Sequence, residues 1–105
     1  MCGICGFYGF KDEVLLNKMC QTIQHRGPDQ SGMYISDKAS LGHRRLSIID
    51  LSENGRQPMT NEDGSLFVIV NGEIYNFQGL RDGLLKKGHN FKSSSDSEVI
   101  LHSYE

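Results

Sequence analysis

A cysteine stands directly behind the initiator methionine, at the head of the glycine-spaced run Cys2-Gly3-Ile4-Cys5-Gly6-Phe7. Removal of Met1 makes Cys2 the amino terminus, so that one residue carries both a thiol and a free α-amine, with ordinary pKa values of roughly 8.5 and 7.7–8.0. The amine can then take the thiol proton, as in enzymes whose N-terminal residue is nucleophile and base together. The chemistry these residues suit is nucleophilic attack on a carbonyl carbon.

A metal competes for the same side chains. Cys2, Cys5, Cys20 and His25 fall as C-x2-C-x14-C-x4-H, close to the spacing of small zinc modules, and thiolate with imidazole is what tetrahedral zinc prefers. The match is one of spacing only. Cys5 falls in a predicted strand and Cys20 midway along a predicted helix, so a closed site requires strand, helix face and following loop to converge. A redox reading of Cys2-x-x-Cys5 fails because that motif follows a strand, for which there is no room. Cys5 and Cys20 are more simply read as small buried apolar residues.

Four further groups have the residue types of a site, and each has a plainer reading. Asn71-Gly72 is among the strongest hairpin signals, but Glu73–Phe77 is a poor partner strand because helical periodicity follows so soon. A strand passing through a sharp loop into a helix instead puts an amide side chain and an unhindered backbone N–H where both can face one oxygen. His43-Arg44-Arg45 reads as a solvated basic cluster at a strand end. Asp96 reads as an acid favoured by a helix N-terminus, and His25-Arg26-Gly27-Pro28-Asp29 as a rigid turn.

The elements that must position these residues follow from periodicity and breakers. Gly3–Phe10 alternates as a strand. Asp12 caps a helix to about Gln24, with Leu16, Met19, Cys20 and Ile23 on one face. Short strands are predicted at Met33–Ser36 and Ala39–Leu46, a loop over Ser52–Asn61, a turn at Glu62-Asp63-Gly64 and an apolar strand at Leu66–Val70. A helix from Asn76 carries Phe77, Leu80, Leu84 and Leu85 on one face and stops at Gly88. A last helix starts at Ser95, where Ser95-Asp96-Ser97-Glu98 fits a capping box; it is still running at Glu105, with Val99 and Ile100 turned toward a partner outside the chain. The pattern is α+β.

The chain has 105 residues, enough for one domain with a modest core, and a net charge of −2. No basic stripe marks a nucleic-acid or anionic-membrane surface. No apolar run approaches the ~20 residues of a membrane span, and no signal-like N-terminus is present. A cytoplasmic setting is expected, in which the three cysteines stay free thiols.

Taken together and in order, Cys2-Gly3, HRGPD (25–29), GHRRLSIID (42–50), VNGEIYN (70–76) and SSDSEVIL (94–101) resemble the start of the glutamine-hydrolysing asparagine synthetases. The resemblance runs over essentially all 105 residues. It implies an N-terminal-nucleophile hydrolase fold, a four-layer αββα sandwich, of which residues 1–105 are the N-terminal part of one glutaminase domain. By matching motif, Cys2 is the nucleophile, and Asn71 Nδ2 with the Gly72 N–H forms the oxyanion hole. Arg45 holds the α-carboxylate of glutamine, Ile48 and Ile49 offer backbone groups to it, and Glu73 and Asp96 accept its α-ammonium. Arg45 rather than Arg44 takes this role because it directly precedes Leu46-Ser47-Ile48. The resemblance assigns no metal or cofactor to this segment; ATP and Mg²⁺ belong to a C-terminal synthetase domain that amidates aspartate. Ending in mid-helix, the chain is expected to be a truncated domain, to self-associate and to hydrolyse glutamine poorly alone. The rival functions are the zinc module and a non-catalytic interaction domain.

Overall fold

The computed structural model of the chain describes residues 2–46 and 53–105. Strand β1 (Gly3–Tyr8) pairs antiparallel with β3 (Ala39–Arg45), which sets Cys5 opposite Gly42. On its other edge β3 pairs antiparallel with β2 (Gln30–Ile35), giving the sheet order β1-β3-β2. Ser36 closes the β2–β3 turn by accepting from the Ala39 N–H (3.0 Å) and donating to the Ala39 carbonyl (2.8 Å). β2 starts three residues before the expected Met33, because Gln30, Ser31 and Gly32 find partners in Arg45, Arg44 and His43. A polar strand end of this kind has no alternation to reveal it.

Helix α1 (Glu13–Thr22) begins as expected: Asp12 accepts from the Leu15 N–H at 2.9 Å, a cap of the kind that contributes about 1 kcal/mol. It buries Leu16 and Cys20 against β3 at Gly42. A Cβ at Gly42 would overlap the sulfurs of both Cys5 and Cys20, so glycine is what lets the helix approach. The α-helix stops at Thr22 and tightens into a 3₁₀ turn over Gln24–Arg26. The following turn is strapped to β3, with the Asp29 N–H donating to the Arg45 carbonyl (3.0 Å) and Arg44 Nε to the Gly27 carbonyl (3.1 Å).

A second sheet pairs β4 (Met59–Thr60) with β5 (Phe67–Val68). The sequence predicts loop at β4 and a strand through Val70. The ladder ends early because side chains take both polar groups of Val70: its N–H donates to Gln57 Oε1 (2.6 Å) and His43 Nε2 donates to its carbonyl (3.0 Å). This sheet lies on the face of the first sheet opposite α1, shown by Gly32 against the Gln57 carbonyl and by Tyr34 stacked on Phe67 at 3.8 Å.

Helix α2 (Phe77–Lys86) has the predicted periodicity, yet none of its residues is fully buried. It ends at Gly88, whose φ of +94° is closed by the Gly88 N–H to Leu85 and the His89 N–H to Leu84, the Schellman arrangement. Helix α3 (Glu98–Tyr104) packs on α2, β4 and β5. It starts three residues after the expected Ser95, and no capping box forms. Glu98 instead accepts from the Lys92 N–H, the Ser93 N–H and the Ser93 hydroxyl. Val99 and Leu101 are buried within the chain, which corrects the expectation that Val99 awaits an outside partner. The fold is α+β with antiparallel sheets. Among the described residues no helix is long and apolar enough to cross a membrane.

Candidate active site

Where β1 begins, β3 ends and the loops before α2 and α3 meet, an open cleft of about 100 Å³ forms. Cys2, Arg45, Asn71, Gly72, Glu73 and Asp96 all line it, with Leu46, Gln57, Val70, Ser95 and Ser97 between them. Residues separated by most of the chain thus share one concavity. Ile48 and Ile49 lie outside the described residues.

The buried and half-buried members of the cleft are held by hydrogen bonds. The Cys2 carbonyl accepts from Arg26 Nε at 3.0 Å, and Cys2 Sγ accepts from the Leu46 N–H at 3.4 Å. Strand alternation sends Cys2 into the cleft and Cys5, three residues on, to the α1 side, where its sulfur is 3.4 Å from Cys20 Sγ. That divergence disposes of the zinc module: among the described residues Cys2, Cys5, Cys20 and His25 form no cluster able to hold a metal ion. Burial and then the Cys20 sulfur push the Cys5 thiol up to about 12. Because thiolate is the reactive form, iodoacetamide near pH 7.5 is expected to alkylate Cys2 well before Cys5, as read by peptide mapping. Equal modification of the two would contradict the suppression of the Cys5 thiolate, since both cysteines are only part-buried.

Alternation also separates the two arginines. Arg44 faces the Gly27 turn, whereas Arg45 is buried beside the cleft, its Nη1 donating to Gln30 Oε1 at 2.8 Å and its guanidinium set against Gly55. The cluster is therefore not solvated, which corrects the plainer reading. His43 is buried too, with its pKa lowered by that burial and, secondarily, by the Arg45 charge, partly opposed by the bond to the Val70 carbonyl. A neutral imidazole donating from Nε2 fits this setting.

The opposite wall is held by side-chain bridges. Asp96 is buried and accepts from the Ile74 N–H at 2.7 Å, which joins the loop before α2 to the loop before α3. Gln57, also buried, links Val70 to the Ser97 hydroxyl, its Nε2 donating at 3.3 Å. Asn71, Gly72 and Glu73 are exposed at the mouth. Gln57, Ser95 and Ser97 were not legible as site residues: a lone glutamine in a polar loop has no pattern, and Ser95 and Ser97 looked like capping residues.

The sequence family described as a glutamine amidotransferase domain matches the chain over residues 1–105. The chain is 44% identical to glutamine-hydrolyzing asparagine synthetase 1 of Bacillus subtilis (strain 168), over 99% of this chain and 17% of that protein. It is 46% identical to the glutamine-hydrolyzing asparagine synthetase of Brassica oleracea, over 100% of this chain and 18% of that protein. Identity to the Sandersonia aurantiaca enzyme of the same name is also 46%, over 100% of this chain and 20% of that protein. The chain spans no more than a fifth of the length of these curated relatives.

Proposed function

The chain belongs to the glutamine amidotransferase domain family, matched along its whole length, and from that premise we propose that it hydrolyses glutamine to glutamate and ammonia through a thioester on Cys2. The observation that carries this reading is the convergence of Cys2, Arg45, Asn71-Gly72-Glu73 and Asp96 on one cleft from four separate stretches of sequence.

With Met1 removed, the α-amine of Cys2 takes the thiol proton and the sulfur attacks the side-chain carboxamide carbon. Negative charge develops on the carboxamide oxygen, and Asn71 Nδ2 and the Gly72 N–H donate to it. The ammonium of Cys2 returns its proton to the leaving nitrogen as the tetrahedral adduct collapses to thioester and ammonia. Water, deprotonated by the same amine, attacks the thioester through a second oxyanion, and the thiol leaves with glutamate. Arg45 supplies the fork that a carboxylate accepts from, and Glu73 and Asp96 supply the negative charge for the α-ammonium. Ile48 and Ile49 complete the contacts to the substrate backbone.

The wider reading has its own support. The order α1, first sheet, second sheet, α3 suits an αββα sandwich of the N-terminal-nucleophile kind. The relatives carry the name glutamine-hydrolyzing asparagine synthetase, which supports, as part of this proposal, aspartate as the acceptor of the ammonia in a synthetase domain of the full-length protein that would use ATP and Mg²⁺.

The test uses the two charged ends of the substrate. Hydrogen bonds to charged groups are worth about 1.5–3 kcal/mol, so Arg45→Ala and Asp96→Asn in the full-length protein should each raise the glutamine KM about 10- to 100-fold. Arg45→Ala should also erase discrimination against an analogue lacking the α-carboxylate, and Asp96→Asn against one lacking the α-amine. Unchanged KM and unchanged discrimination would reduce both residues to supports of the loops they bridge.

A further inference from the structure

On the far side of the Asp96 wall, two histidines and two glutamates from three separate segments meet. Glu62 sits in the β4–β5 turn, held there by the Asn90 N–H donating to Oε2 at 3.1 Å. His89 is placed by the turn that ends α2. His102 lies on α3, and Glu105 follows three residues later at the helix C-cap. His102 Nδ1 is 3.1 Å from Glu62 Oε1 and 3.1 Å from Glu105 Oε1. His89 Nδ1 is 3.4 Å from Glu62 Oε2 and 3.6 Å from Glu105 Oε1.

We propose that Glu62, His89, His102 and Glu105 form a four-coordinate site for a divalent cation of the zinc class. One donor atom from each residue lies within 4.8 Å of the others. Zinc bonds to nitrogen and oxygen of about 2.0–2.1 Å put neighbouring ligands of a tetrahedron about 3.3–3.4 Å apart; the four histidine–glutamate distances, 3.1, 3.1, 3.4 and 3.6 Å, lie on either side of that value. Two imidazoles with two carboxylates is also a donor set that zinc accepts.

Hydrogen bonding explains the cluster less well. His102 Nδ1 carries at most one hydrogen, yet it faces two carboxylate oxygens at the same distance. Its Nε2 is engaged on the other side by Glu98 Oε2 at 3.0 Å. With the Nε2 hydrogen directed at Glu98, Nδ1 presents a lone pair to the cluster, which is how a carboxylate orients a metal-ligating histidine. His102 is 99% buried at its side chain while Glu62, His89 and Glu105 remain partly open to solvent, so an ion has a route in. The Asn90 N–H fixes the Glu62 carboxylate in place by donating to Oε2. Beside it stand two more carboxylates, Glu98 and Glu105, and a dication balances part of that charge. The site acts on structure rather than on the reaction: through Glu98 it is tied to Ser93, and Ser93 Oγ in turn accepts from the Ser95 N–H at the cleft.

Metal-free protein titrated with Co²⁺ at pH 7.5 tests this. Expected are one Co²⁺ per chain, the visible d–d absorption of a four-coordinate nitrogen and oxygen site, displacement by Zn²⁺, and a Zn²⁺-dependent rise in Tm. His89→Ala and Glu62→Gln, chosen because these side chains are partly exposed, should each weaken binding by more than the 10- to 100-fold that loss of an outer partner costs. Their metal-free Tm should stay near that of the parent. The proposal is overturned by absence of saturable binding, by near-ultraviolet thiolate-to-cobalt absorption that assigns the metal to cysteine, or by both variants binding as the parent does.

Discussion

Glutamine-dependent ammonia release is expected to disappear when Cys2 is replaced by alanine, and to disappear as completely when Met1 is retained in front of an intact Cys2. The first loss follows from removing the only cysteine among the described residues that lines the cleft; Cys5 and Cys20 meet each other between β1 and α1. A nucleophile and its base act as one unit, and removing either member of such a unit costs on the order of 10⁴-fold or more. The second loss is the sharper test. A retained Met1 turns the α-amine into an amide, which cannot take a proton, although the thiol and its hydrogen bond from Leu46 are unchanged. No described side chain that lines the cleft is a histidine. The carboxylates there, Glu73 and Asp96, are assigned to the substrate α-ammonium. Processed and unprocessed protein would be incubated with an electrophilic glutamine analogue and Cys2 labelling read by mass spectrometry. Strong labelling of the processed form alone is expected. Equal rates would mean that a different group accepts the thiol proton.

The same region shows which parts of the structure were legible. Local rules worked where one residue decides: Asp12 caps α1, Gly88 ends α2, and glycine-proline breaks the chain before β2. They failed where side chains from distant segments replace backbone partners. Gln57 and His43 end the strand at Val70, and Glu98 abandons the capping box for Ser93 and Lys92. The Val70 contacts span 13 and 27 residues, beyond any local window, while Glu98 reaches back five and six residues to a loop that has no periodicity to announce it. For the cleft, residue identity came from motif blocks and its plausibility from chemistry, but burial could not be foreseen. His43-Arg44-Arg45 has the composition of a solvated strand end, yet two of its three members are buried, because the second sheet covers one face of β3. The choice of Arg45 over Arg44 rested on its place beside Leu46; strand alternation supplies the physical reason. The Glu62, His89, His102 and Glu105 cluster was invisible in sequence because its members have no common spacing except the i,i+3 step from His102 to Glu105.

Asn71→Ala is expected to lower kcat for glutamine hydrolysis by about 10²–10³, the usual cost of one oxyanion donor, about 2.7–4 kcal/mol. KM should barely move, because the bond gains its strength only when charge develops on the carboxamide oxygen. Asn71 is exposed at the cleft, so its truncation leaves no buried group unpaired and should not unfold the protein. The rival explanation, a hairpin turn, is weakened by the backbone. A type I′ turn needs positive φ at both central residues, while the described glycines with positive φ are Gly9, Gly64 and Gly88, and no strand follows Gly72. Gly72 separates side-chain from main-chain donation. A Cβ there meets no atom within 4 Å, so Gly72→Ala should retain near-parental activity. Gly72→Pro, which deletes the N–H, should lose activity on the scale of Asn71→Ala. The measurement is steady-state glutaminase kinetics in the full-length protein beside synthesis driven by free ammonia. Loss of the first with survival of the second supports the oxyanion role. Equal loss of both in Asn71→Ala, or full glutaminase activity in Gly72→Pro, would remove the Asn71-Gly72 pair from the mechanism.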